Sequence, residues 1–198
     1  LKNIAREVFL HDLGGTVISD FSGNNVIILY DADPIENNLL KSRCESFIKS
    51  CNEQIKCSVS CYISDKNAYS QMNRSYNTLL EMEKNNVLKK NTVELLHTYH
   101  GLPRVEGIVQ DIDDWGFLLE TGRKNLLITK INELFGSRQN QMNYENLQTV
   151  YYTVTGIIFR IFAKKGVAVF SSSKLRALIE QKDCVRSVEL FRQWLIAL

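Results

Sequence analysis

The chain has 198 residues, enough for one large domain or two small ones with a real core. Hydrophobic residues make up 44% and charged residues 23%, a globular balance that argues against disorder. The formal net charge is +2, and dividing the chain near Leu102 leaves halves of about −1 and about +3, so no basic face for nucleic acid or anionic membrane hides in the average.

In chain order, Leu1 to Leu13 reads as a helix stopped by Gly14-Gly15. Thr16 to Phe21 reads as a strand and Ser22-Gly23-Asn24-Asn25 as a turn, because Gly and Asn tolerate positive φ. Val26 to Tyr30 is an unbroken β-prone run typical of a central strand, completing a hairpin. Asp33-Pro34 opens a helix expected to run to about Asn52. Cys57 to Ile63 alternates as a strand. Asp65 is the expected cap of a helix carrying Tyr69, Met72, Tyr76, Leu79, Leu80 and Met82. Thr92 to Tyr99 reads as a last strand.

Gly101 and Pro103 mark a change of texture. Beyond them come helices over Asp111 to Thr121, broken by Gly122, and over Arg123 to Phe135, ended by Gly136. Tyr144 to Lys165 is the longest. Its Leu147, Tyr151, Val154, Ile158 and Ile161 step by four and three, which is a packing seam. Ser171-Ser172-Ser173 caps a short helix through Glu180, and Val185 to Ala197 ends the chain with Val188, Leu190, Phe191, Trp194 and Leu195. The expected class is therefore α+β: residues 1–102 an α+β domain with an antiparallel sheet, residues 103–198 an all-helical subdomain.

There is no secretory signal and no run long enough to span a bilayer. The longest apolar run, Val150 to Phe162, is interrupted by Thr153, Thr155, Gly156 and Arg160 and reads as a buried helix. The first residue is Leu, which points to a fragment of a longer protein. Cys44, Cys51, Cys57, Cys61 and Cys184 are an odd number without framework spacing, so reduced thiols and a cytoplasmic setting are expected.

No residue pattern defines a catalytic, cofactor-binding or metal site. His11, His97 and His100 lack further ligands at metal spacing and read as surface or boundary residues. Cys57 and Cys61 on one strand face would lie roughly 13 Å apart, and Cys44 and Cys51 two helical turns apart would lie roughly 10 Å apart. Neither pair could share a metal or a disulfide, so core packing is expected. Asp111-Ile112-Asp113-Asp114 lacks the glycine and distal Glu of a calcium loop and fits the acidic first turn of a helix. Asp31 and Asp33 form a D-x-D after a strand, but Asp33 is explained as a cap. Lys164-Lys165 fits a helix C-terminus.

A family resemblance adds to this. Asp20-Phe21-Ser22-Gly23-Asn24-Asn25-Val26-Ile27-Ile28-Leu29, preceded by the helix from Leu1, resembles the signature hairpin of diguanylate cyclase (GGDEF) domains. Cys57 to Ser64 is similar to their next strand, and Tyr76 to Asn85 to the helix after it. In the signature, Asn24-Asn25 or a near neighbour replaces the acidic pair that would hold metal, so the resemblance implies the fold without cyclase activity. Degenerate domains of this kind occur in the middle region of AraC-type transcription regulators. Glu120 to Phe135 and Phe191-Arg192-Gln193-Trp194-Leu195 resemble the helical segment that follows there.

The resemblance implies a non-enzymatic linker that couples an upstream receiver or sensor to a helix-turn-helix domain, with no cofactor, no membrane contact by this segment, a possible homodimer, and DNA contacted only through a domain absent from this chain. Two alternatives stand beside it. One is a small-molecule sensor with a pocket at the junction near Tyr99, His100, Trp115 and Phe117. The other is a nucleotide-handling enzyme related to the cyclases.

Overall fold

A computed structural model describes residues 1–30, 37–101, 112–138, 142–168 and 171–198. The architecture is mixed α+β, and it divides into two compact units: Leu1–Leu80 with Lys89–Tyr99, and Glu81–Leu88 with His100–Leu198.

In the first unit, helix α1 (Lys2–Leu10) leads into the antiparallel hairpin β1 (Gly15–Ser19) and β2 (Asn25–Leu29). The helix stops at Leu10, three residues short of the expected end. A Cβ on Gly15 would sit 2.6 Å from the Ile28 carbonyl oxygen and 2.7 Å from the Leu10 side chain, so only glycine lets the helix end and the hairpin meet. Val17 and Ile27 pair across the hairpin and face the core. Helix α2 (Asn37–Ser50) follows and continues as a π-helical turn over Cys51–Ile55. Its Arg43 grips Asp12 with two 2.6 Å bonds and also donates to the Val8 carbonyl, tying the end of α1 to α2. The core consists of Ala5, Phe9, Val17, Cys44, Phe47 and Cys51, with Phe9 and Phe47 edge to face at 5.6 Å.

Strand β3 (Cys61–Ile63) pairs in parallel with β4 (Val93–Leu95), and the connection between them contains helix α3 (Met72–Asn85). Parallel neighbours need such a long crossover. These observations correct several expectations. Only the hairpin is antiparallel, and the four strands form two separate two-stranded sheets, so β2 is not a central strand among the described residues. The strand expected from Cys57 starts only at Cys61. Lys56 takes a left-handed conformation, the Cys57 amide turns back to the Cys51 carbonyl, and Val59 bonds an Asn91 side chain instead of a strand. Strand β4 gives way to a 3-10 turn at Leu96–Thr98. Asp65 does not cap α3, which starts at Met72 after a 3-10 turn. Its Oδ1 instead lies 3.2 Å from His97 Nδ1.

The second unit is helical among its described residues: α4 (Trp115–Glu120), α5 (Lys124–Arg138), α6 (Tyr144–Lys164), α7 (Ser173–Glu180) and α8 (Val188–Ala197). Helix α6 is its axis. Every residue of the seam read from the sequence is buried, and Thr149, Thr153 and Thr155 return their hydroxyls to carbonyls four residues back, which lets threonines sit in a helix. Asn143 caps the start, accepting the Asn146 amide at 2.8 Å, and Ser172 caps α7 through the Leu175 amide.

Against α6 pack Trp115, Ile131, Leu134, Phe135, Val188, Phe191, Trp194 and Leu195. Phe191 stacks on Trp194 at 5.3 Å, and Trp194 meets Tyr151 at 5.0 Å. Two polar tips in this core are satisfied by backbone, Tyr151 donating to the Ile179 carbonyl and Trp194 to the Leu178 carbonyl, whereas the buried Trp115 indole N–H has no partner among the described residues.

Three boundaries differ from expectation here. Gly136 lies inside α5 and does not end it, because Leu134 and Phe135 on the same turn are locked into the core. Helix α4 is shorter than expected, starting at Trp115, and Gly122 does break the chain with φ of 67°. Helix α8 starts at Val188 after a 3-10 turn over Lys182–Arg186, and Leu190 is exposed. No helix among the described residues is long and apolar enough to cross a membrane.

Candidate functional site

The turn between β1 and β2 closes on itself through the Asp20 side chain. Asp20 stands at the end of β1. One of its oxygens accepts the Ser22 and Asn24 backbone amides at 2.8 and 2.7 Å. The other accepts the Asn24 side-chain amide at 3.1 Å and the Tyr76 hydroxyl at 2.7 Å. Gly23, at φ of 85°, supplies the left-handed step that brings the chain round. Asn25 Oδ1 accepts the Ser19 hydroxyl at 3.2 Å on the other side of the turn.

A carboxylate offers about four acceptor sites, and Asp20 receives four donors. The electrostatics follow. The Tyr76 hydroxyl, helped by the Asn24 and Ser22 donors, holds the Asp20 carboxyl below the usual carboxylate range. The same bond pushes the Tyr76 phenol up. Tyr76 lies on α3, 56 positions from Asp20. The sequence names both residues but carries no signal that joins them.

The remaining candidates are dispersed. Among the described residues no three His, Cys, Asp or Glu side chains gather as a metal-binding group. His11 and His100 are exposed, and His97 meets only Asp65 among the bonds described above. Asp31, Asp33 and Asp111 lie outside the described residues. Asp114 pairs with Lys130 at 2.5 Å, and Lys164 at the end of α6 pairs with Glu120 at 2.8 Å.

Of the residues named for a junction pocket, Trp115 is buried, Tyr99 half-buried, and Phe117 exposed beneath the Arg123 guanidinium at 5.4 Å. Two open clefts occur elsewhere. One of about 440 Å³ in the first unit is lined by Glu45, Ile48, Lys49, Asn52, Glu53 and Asn91. One of about 330 Å³ in the second is lined by residues including Ile112, Gly156 and Arg160. None of the four junction residues lines either.

Four of the cysteines gather from different elements of the first unit. Cys44 and Cys51 are buried in its core, and Cys57 and Cys61 pack against it. Cys57 Sγ also lies 3.8 Å from the Cys51 carbonyl. All four belong to one apolar cluster, which is the core packing expected of them.

Comparison with protein-family models, with curated proteins and with solved structures returns no match for this chain.

Proposed function

We propose that this chain is a non-enzymatic regulatory segment of an AraC-type bacterial transcription regulator, in which a degenerate GGDEF-like half is followed by a helical half. The observation that carries the reading is the use made of Asn24 and Asn25. At the hairpin positions where the cyclase resemblance requires carboxylates, two amides spend their polar atoms on Asp20 and Ser19. A neutral amide supplies no charge for a divalent metal or a nucleotide phosphate. The tip is built as a structural closure.

On this reading the segment works in the cytoplasm as a coupler. It relays an input from another domain of the same polypeptide to a helix-turn-helix domain, and a homodimer would match DNA half-sites. Two measurements test it. The reading frame followed beyond Leu198 is expected to encode two helix-turn-helix units, and a frame that encodes none overturns the assignment. Purified protein with GTP and magnesium or manganese is expected to produce no cyclic dinucleotide and no rise in melting temperature, whereas turnover restores the enzyme reading.

A further inference from the structure

Helix α6 buries one side in the core of its unit, and its exposed side carries Glu145, Thr149, Tyr152, Gly156, Phe159 and Ala163 in one row. Steps of four and three keep these residues on one face. Tyr152 is 55% exposed and Phe159 40% exposed. The threonines add to the apolar character of the face. Thr149 and Thr153 donate their hydroxyls to the Glu145 and Thr149 carbonyls, so each has already used its proton inside the helix.

The face has a knob and a hollow. Tyr152 is the knob. One turn on, Gly156 lines the cleft of about 330 Å³, and a Cβ there would meet nothing within 4 Å. Thr153, Ile157 and Arg160 of α6 line the same cleft, with Ile112 and Asp113 ahead of α4. Helix α4 lies tightly beside it: a Cβ on Gly116 would come 3.3 Å from the Arg160 guanidinium and 3.5 Å from Ile157. The charges of α6 are divided between its ends. Glu145 lies in the first turn, Arg160 and Lys164 lie near the last, Lys165 follows, and residues 146 to 159 carry none. Glu120 pairs with Lys164, while Arg160 and Lys165 keep that end basic. A parallel pair of such helices sets like charges together. An antiparallel pair sets each acidic end beside a basic one and opposes the two helix dipoles.

We propose that two copies of this chain associate through α6, antiparallel about a two-fold axis, with Tyr152 of each copy seated in the cleft at Gly156 of the other. One register meets every feature. Aligning Tyr152 with Gly156 sets Thr149 against Phe159 and Glu145 against Ala163, one residue from Lys164. The contact is isologous: the same patch serves both copies, and association closes at two. In the cleft, Arg160 offers a cation to the tyrosine ring and Asp113 an acceptor to its hydroxyl.

This gives the homodimer of the proposed function a specific face, and its use in matching DNA half-sites rests on that reading. The face itself stands on the knob, the hollow and the divided charge. A single helix pair is a small interface, so the dimer is weak and depends on concentration.

The test is sedimentation equilibrium of the full chain over rising concentration. A monomer–dimer equilibrium with no larger species is expected. A strict monomer at the highest soluble concentration, or an open series of oligomers, overturns the proposal. Gly156→Gln fills the hollow with a side chain that has room in the monomer and favours helix over glycine, so folding is kept. Its dimer dissociation constant should rise by at least about tenfold, and so should that of Tyr152→Ala. An unchanged constant in Gly156→Gln with wild-type circular dichroism overturns the seating of Tyr152. Glu145→Lys should weaken the dimer by about threefold, more at low salt. An unchanged or tighter dimer there overturns the antiparallel register, because a parallel pair faces like charges before and after the change. Should Tyr152→Ala fold poorly through its lost contact with Tyr151, Gly156→Gln decides alone. Loss of the dimer leaves the regulator assignment standing, since the reading frame beyond Leu198 decides that separately.

Discussion

The two units bury their interiors by different means. The helical unit assembles a continuous core from long helices. Trp115, Leu147, Val150 and Phe191 are fully buried, and side chains cap the starts of α6 and α7. Among the described residues, the α+β unit has a core cluster of six buried residues, two of them cysteines, and its strands form two ladders of two strands each. Two-stranded ladders are marginal alone, so this unit depends on contacts between pieces distant in sequence. A region made this way tolerates little loss at any one contact and opens more readily. Amide exchange should therefore be slowest along α6 and faster in β3 and β4. Slower exchange in the short strands would reverse the comparison.

The largest single effect is expected in the helical unit. Phe191 packs on Trp194 and Phe135, and Phe191→Ala should cost about 3–5 kcal/mol, read as a shifted denaturation midpoint. A loss below about 1 kcal/mol would mean this core can collapse around a void and is looser than its packing implies. In the α+β unit the sharpest probe is Gly15→Ala. The new methyl meets backbone oxygen on one side and Leu10 on the other, so a cost of about 1–3 kcal/mol is expected. A neutral result would show that α1 and the hairpin slide past each other, making this unit softer still. Asn143→Ala removes the cap of α6 and should cost about 1 kcal/mol, with urea denaturation as the measurement. A much larger value would make the first turn of α6 the weak point of the otherwise robust unit.

The same division governs what the sequence reveals. Helix α6 is legible because its seam is a local pattern, and Leu147 through Ile161 are read directly as buried. The Ser172 cap and the hairpin turn are also local chemistry. Features set by distant partners are not legible. Strand β3 is short because Asn91, far along the chain, takes the Val59 amide. Gly136 stays helical because core contacts of Leu134 and Phe135 outweigh a propensity cost of about 1 kcal/mol. At the hairpin tip, Asn24 and Asn25 are visible as turn residues beside Gly23. The Tyr76 hydroxyl that completes the Asp20 network arrives from another element.

The smallest effect is also the one that probes the α+β unit most locally. Asp20 has its folded pKa held below the unfolded value of about 3.9. Its contribution is therefore fully present above that value and is lost as pH falls through the folded pKa. Tyr76 has the opposite sign: its pKa is raised, so its contribution is present below about 10 and is lost as pH rises through the folded value. One hydrogen bond thus fails at both ends of the pH scale. Urea midpoints of wild type and Asp20→Asn should differ near neutrality and converge as pH falls below about 3.9. Tyr76→Phe should approach wild type both as Asp20 is protonated in acid and in strong alkali, where the phenol has ionised. Variants that match wild type at every pH would mean the tip is held by its backbone turn alone. The four bonds to Asp20 would then be a consequence of the hairpin and contribute nothing to closing it.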